Sequence, residues 1–206
     1  MIHLSTAYFP NIQYMSKFLL GKTVQIEAFE NFQKQSYRNR TEILTANGKL
    51  SLFVPIVKSK NNKVSIKDIE IDYTTDWQKQ HFKSIESAYN SSPFYEYIID
   101  DFSFVFEKKE KYLFDLNLKI LEQIYIYLQV NNSHIYSSDF YVDLKSDFRN
   151  TIHPKVKMQK EDLNFYPNKY YQTFNDKFDF VENLSILDLL FNEGSQAISI
   201  LRKSIN

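Results

Sequence analysis

Cysteine is absent from the chain, glycine occurs only three times, and neither sign of charge is in excess. Each shortage removes a class of protein. Without cysteine there are no disulfides, no thiolate nucleophile and no Cys-ligated zinc, a usage that suits a reducing compartment. Gly21, Gly48 and Gly194 are too few and too scattered for a P-loop or a GxGxxG fingerprint, the commonest backbone cradles for phosphate. Lys and Arg total 25 and so do Asp and Glu, so the chain as a whole has no electrostatic footprint for nucleic acid or an anionic membrane. No apolar run approaches the roughly 18 residues of a membrane span, and the N-terminus lacks the basic, apolar and small-residue order of a signal peptide. The expectation is a cytoplasmic protein without a membrane span. HExxH and GxSxG are missing, and the four histidines have no close aspartate to complete a metal site. No metal is expected and no cofactor is identified.

What the chain has in quantity is aromatic side chains, 18 Phe and 15 Tyr among 206 residues. They supply a core and amphipathic pocket walls. Ile2-His3-Leu4 reads as a short strand. Pro10 should push Phe9 into extended geometry and open a helix from Asn11 to Leu20, closed by Gly21. Val24 to Glu27 alternates like a half-buried strand. Strand, helix and strand make a βαβ unit, whose parallel strands are joined by a right-handed crossover. Thr41 to Ala46 and Lys49 to Val57 flank Asn47-Gly48, which predicts a type I′ hairpin with Leu50, Leu52, Val54 and Ile56 on one face. Lys58 to Lys63 reads as a solvated loop, and Ile66 to Tyr73 as a further strand.

From Thr75 the period becomes helical. Thr75 and Gln78 fit a capping box ahead of the stripe Trp77, His81, Ile85, Ala88 and Tyr89. Ser92 as N-cap with Pro93 at the first position predicts a second helix, and Tyr112 to Leu128 a third. Asn131-Asn132 breaks the pattern, Ile135 to Val142 reads as a strand, and Leu144 to Asn168 as an irregular segment containing His153-Pro154-Lys155. Ser185 with Asp188 makes a capping box, Gly194 a stop, and Gln196 to Ser204 a last helix. The fold class expected is α/β, a βαβ opening with a mostly parallel sheet plus a β-hairpin, followed by a predominantly helical second half. No linker divides residues 1–206, which read as a single domain.

The chemistry centres on Tyr37-Arg38-Asn39-Arg40, where two guanidinium forks flank an amide. Such a pair either clamps a carboxylate or phosphate, or makes ordinary ion pairs. In open parallel sheets ligands sit at the carboxyl ends of strands. Those ends lead here into Ser5 to Pro10 and Phe29 to Arg40, so Tyr8, Glu27, Glu30, Gln33, Gln35 and the arginines share one candidate cleft. Tyr14 suits the core or the cleft wall. His81 reads first as a core histidine and second as a proton-transfer group.

Leu4 to Pro10 with Gln13-Tyr14, Ile26-Glu27, Lys34 to Arg40, Ala46-Asn47-Gly48, Val54-Pro55, Ser87-Ala88-Tyr89, Ser92-Pro93-Phe94, Phe114 to Asn117 and Asn183 to Gly194 together resemble the WbqC-like family, in the branch typical of Bacteroidetes. The resemblance covers nearly the whole chain. It departs from the wider pattern where many relatives begin Gln-Pro-x-x-x-Pro, since Ser5 and Thr6 here precede Ala7. Family members occur among genes for surface polysaccharide and O-antigen production, and a glycine or aminoacyl transferase role has been suggested for them. The resemblance therefore implies an acyl or aminoacyl transferase acting on a sugar, with an anionic donor or sugar substrate as small-molecule partner. Arg38, Asn39, Arg40, Tyr14 and Gln35 are then the expected binding residues, and Tyr8, Glu27 and His81 the expected proton handlers. A nucleotide-handling enzyme and a noncatalytic partner of glycan synthesis are the alternatives, and the oligomeric state stays open.

Overall fold

A computed structural model describes residues 1–58, 63–130, 134–142 and 144–205. It is a mixed α/β structure with a small parallel sheet, a separate antiparallel hairpin and a helical second half. The opening is the βαβ unit: strand β1 (Ile2–Ser5), helix α1 (Ile12–Ser16) and strand β2 (Val24–Glu27). All four β1 residues are buried, as expected for a parallel strand covered on both faces. β1 and β2 pair in parallel from Ile2↔Val24 to Ser5↔Glu27. The Asn11 side chain accepts from the Tyr14 N–H and caps α1, which passes into a 3₁₀ turn at Lys17–Leu19 instead of running on to Leu20. Phe9 is not extended but has φ 38°. Hydroxyls of Thr41 and Ser185 both donate to its carbonyl, and its ring packs against Tyr8 and Phe102. These contacts outweigh the local preference that Pro10 imposes.

β3 (Arg40–Thr45) and β4 (Gly48–Phe53) form the hairpin. Its closing pair is Thr45↔Gly48, one residue off the type I′ register, so Ala46 and Asn47 make the turn and Gly48, at φ 99°, is the first residue of the return strand. The Thr45 hydroxyl fixes this arrangement by donating to the Gly48 carbonyl and accepting from the Asn47 N–H. Leu52 and Val54 face the core while Leu50 is exposed. Ile66 to Tyr73 is not a strand. It holds a 3₁₀ turn at Ile66–Asp68 and single bridges, Ile56↔Ile71 and Glu70↔Tyr112.

Helix α2 (Trp77–Tyr89) buries its predicted stripe, but Asp76 is its N-cap and the Thr75–Gln78 box is not formed. Gln78 is drawn inward, where its amide donates to the carbonyls of Val105 and Lys108. The next helix, α3 (Tyr95–Ile98), starts two residues beyond Pro93, because the Ser92 hydroxyl is engaged by Thr173 instead of capping. It leads through a 3₁₀ turn to α4 (Ser103–Glu107), with Ile98, Phe102 and Val105 inward. α5 (Leu113–Leu128) matches its prediction and ends at Gln129 in left-handed geometry, φ 50°.

β5 (His134–Tyr136) is three residues long and pairs in parallel with β2, giving the order β1-β2-β5. Lys60 and Asn131-Asn132 lie outside the described residues. The segment 144–168 is irregular apart from a 3₁₀ turn at Val156–Met158. It runs along the free edge of β1, joined by a parallel bridge from Asp147 to His3. Helices α6 (Ile186–Glu193) and α7 (Ala197–Lys203) close the chain. Ser185 caps α6 by accepting from the Leu187 N–H, but Asp188 does not complete a box. Its buried carboxylate instead accepts from Tyr89, Tyr170 and Gln172 at 2.9, 2.6 and 3.0 Å, which ties α6 to α2 and to the 170s segment. No helix among the described residues is long and apolar enough to cross a membrane.

Candidate functional site at the carboxyl edge of the parallel sheet

The parallel strands place their chemistry at their carboxyl ends. β1 ends at Ser5, β2 at Glu27, and the Asp147 bridge brings Arg149 alongside. Two arginines meet there. Arg38, 2% exposed, donates through Nε to Glu30 Oε1 at 2.7 Å and through Nη2 to Glu30 Oε2 and to the Ser5 hydroxyl, the latter at 2.6 Å. Its backbone carbonyl accepts from the Asn117 amide of α5 at 2.8 Å, which anchors the 37–40 turn to the helical layer. Arg149, 6% exposed, donates through Nη1 to Glu27 Oε2 at 2.9 Å, through Nε and Nη2 to Asp147 at 2.9 and 2.7 Å, and through Nη2 to the Tyr141 carbonyl at 2.8 Å. The other Glu27 oxygen accepts from the Ser137 hydroxyl and the Phe29 N–H. Every carboxylate in this cluster is held by an arginine, so the guanidinium planes are fixed before any ligand arrives. Buried pairs made this way are retained only where further hydrogen bonds satisfy both partners.

The electrostatics follow. Burial alone would raise the Asp147 pKa, but its bonds with Arg149 pull it below the usual carboxylate range. Arg149 is raised, chiefly by its bond with Asp147. Burial, followed by the charges of Arg38, Lys155 and Arg40, holds His153 below its ordinary value. Outside the paired charges lies a cleft of about 320 Å³ lined by Glu30, Asn31, Phe32, Gln33, Phe140, Val142, Asp147, Arg149 and the exposed Asn150. Side-chain amides and two phenylalanine rings dominate its wall beside the ion pairs.

Of the residues singled out from the sequence, Glu27 and Arg38 are in this cluster, and the Tyr14 hydroxyl donates to the Ser5 carbonyl at 2.8 Å within it. Arg40, at the start of β3, is half-buried, shares the neighbourhood of His153 with Arg38, and its Nε has no hydrogen-bond partner among the described residues. The Asn39 amide donates to the Val54 carbonyl, a contact internal to the hairpin edge. Gln35 is exposed in a turn at φ 60°. Tyr8 and His81 are apart from the cleft. They share a 2.9 Å hydrogen bond inside the aromatic core beside Trp77, and burial pushes His81 down to about 4 and Tyr8 well up. The residue missed in the sequence is Arg149. Its signal was Asp147-x-Arg149, a local carboxylate–guanidinium pair inside an otherwise unpatterned segment.

An α/β protein with a polar cleft at the carboxyl edge of a parallel sheet is the class these features define. The chain belongs to the WbqC-like protein family, whose profile matches residues 6–160. The uncharacterized protein Rv1507c of Mycobacterium tuberculosis is 24% identical over 218 residues, covering 95% of this chain and 91% of that protein. No solved structure matches.

Proposed function

We propose that this protein is a transferase of surface-polysaccharide assembly that moves an acyl or aminoacyl group from an activated donor to a sugar bound in the cleft. The observation that carries this reading is the pair of interlocked, buried arginine–carboxylate clusters, Arg38–Glu30 and Arg149–Glu27/Asp147, framing the cleft at the carboxyl edge of the sheet. Such a scaffold contributes by holding groups in fixed orientation, which is where much of the rate of a group transfer originates. The amides of Asn31, Gln33 and Asn150 both donate and accept, as sugar hydroxyls require, and Phe32 and Phe140 offer flat apolar faces. Because the two arginines face three carboxylates, Glu27, Glu30 and Asp147, the cluster has no surplus positive charge for a polyphosphate. That favours the acyl-transfer reading over a nucleotide-handling one.

In the reaction the acceptor nitrogen or oxygen attacks the donor's carbonyl carbon. A new bond to carbon forms, the bond to the leaving group breaks with its electron pair departing on that group, and the acceptor's proton passes to solvent, because Asp147 is held ionised by Arg149. Glu27 acts through Arg149 by fixing its plane. The test is a thermal-shift screen of nucleotide sugars, free sugars, aminoacyl donors and acyl thioesters. A ligand at about 100 times its Kd stabilises by about 2.7 kcal/mol, a shift of about 5 °C or more in a chain of this size. Stabilisation by a sugar or acyl donor that is lost in Arg149→Gln supports the reading. Stabilisation by nucleotides irrespective of sugar or acyl group, or by nothing in the screen, removes it.

A further inference from the structure

Sharing Arg149 with the cleft, a recess whose polar wall is made by Ser5, Thr6, Tyr14, Tyr37, Arg38 and Arg149 lies between β1 and the Arg149 segment and measures about 10 Å³. That is room for one oxygen-sized group. Two donors on deeply buried side chains are unspent there. Arg38 uses Nε and Nη2 on Glu30 and Ser5, while Nη1 has no hydrogen-bond partner among the described residues and is not sealed from solvent. Thr6, 4% exposed, likewise has no side-chain hydrogen bond among the described residues, and its hydroxyl also keeps solvent contact. Donors that meet no protein acceptor yet open onto a recess are free to take an oxygen from outside. Two such donors bordering a one-atom space therefore point to an oxygen acceptor that arrives from outside.

We infer that Thr6 and Arg38 Nη1 form a carbonyl-oxygen site, which binds the acyl or carboxyl oxygen of the donor while its carbon stays at the mouth of the recess. This rests on the acyl-transfer reading and deepens it. A phosphate group brings three or more anionic oxygens, each needing donors, and the recess has room for one. A carbonyl brings one oxygen and an apolar carbon. During attack on that carbon the carbonyl π-electrons move onto the oxygen, where the two donors stabilise the charge, and they return as the leaving group departs. Donors aimed at the position where charge develops are the usual source of such stabilisation.

Acetate and glycine serve as carboxyl probes and inorganic phosphate as the comparison, titrated against the full chain by ligand-observed NMR. Thr6→Val keeps the shape and removes one donor, Thr6→Ser restores it, and Arg38→Lys replaces the guanidinium. The expected result is carboxylate binding weakened about tenfold or more in Thr6→Val, since a hydrogen bond to a charged group is at stake, with recovery in Thr6→Ser and loss in Arg38→Lys. Equal carboxylate affinity in wild type and Thr6→Val overturns the site, as does phosphate binding in preference to acetate, or no binding of either carboxylate. These failures differ from failure of the underlying reading, in which no sugar or acyl donor stabilises the wild-type protein at all. Should Arg38→Lys not fold, the Thr6 pair alone decides.

Discussion

Replacing His81 by glutamine should flatten part of the acid limb of the stability profile. His81 is 5% exposed, its Nδ1 is bonded to the Tyr8 hydroxyl, and burial lowers its pKa to about 4 from an ordinary 6.5. Between those values the unfolded chain binds a proton that the folded chain refuses, so stability falls as the pH drops. The shift of about 2.5 units corresponds to about 3 kcal/mol in the limit, and about 2 kcal/mol is already lost at pH 5 relative to pH 8. Glutamine has no titrating group, yet it can still accept from Tyr8. The variant therefore starts less stable by the packing it loses, but the part of the pH dependence due to His81 disappears. Urea unfolding followed by Trp77 fluorescence is the natural assay, because Trp77 is the sole tryptophan, is buried, and has its ring centroid 5.0 Å from that of His81. The quantity compared is the change in unfolding free energy from pH 8 to pH 5 in each protein. If wild type and variant lose the same amount, His81 is not held neutral by burial and the reasoning fails.

Asp188 should act in the opposite direction. Its pKa is raised to about 6 by burial, against three hydrogen bonds that lower it, so the folded state keeps a proton that the unfolded state releases. Stability should fall by about 2 kcal/mol as the pH rises from 4 to 6, and Asp188→Asn should lose that dependence in the same urea experiment. Gly194→Ala should cost about 1–3 kcal/mol, because φ is 52° and the new methyl would meet the Phe94 ring at 2.6 Å. The cost should shrink when Phe94→Ala is combined with it, and a double-mutant cycle in urea measures the difference. Glu27→Ala should destabilise by about 3–5 kcal/mol by leaving Arg149 buried with one partner fewer, whereas an unchanged urea midpoint would mean the pair is not sealed as described.

The elements with a clear period were legible in the sequence: β1, β2, the hairpin, the stripe of α2 and the whole of α5. Expectations that rested on one local signal fared less well where a tertiary partner competed for the same group. Gln78 and Asp188 were both assigned to capping boxes, and both are instead drawn into buried bonds with distant residues. Ile66, Ile69, Ile71 and Tyr73 suggested a strand, but Ile66 sits in a 3₁₀ turn and Ile71 finds a partner only through a single bridge. At the site, the position of Arg38 and Glu27 followed from the rule that strand ends carry chemistry. Beyond the local Asp147-x-Arg149 pair, the place of Arg149 in the site could not be read from the sequence, for a physical reason. It lies in a segment with no hydrophobic period, about 120 residues from the Glu27 it binds, and only folding brings the two together.

The proposed transfer requires ligands to bind in the cleft outside Arg38 and Arg149. Asn150 lines it, is exposed, and makes no side-chain bond to either arginine. Asn150→Trp fills the opening and leaves both ion-pair clusters in place. The most direct measurement is a calorimetric titration of the best sugar or acyl donor from the thermal-shift screen into wild type and Asn150→Trp, with the unliganded melting temperatures compared alongside. An unchanged melting temperature and binding weakened at least tenfold are expected in the variant. Equal affinity in the two proteins would place the ligand elsewhere and contradict the proposed transfer.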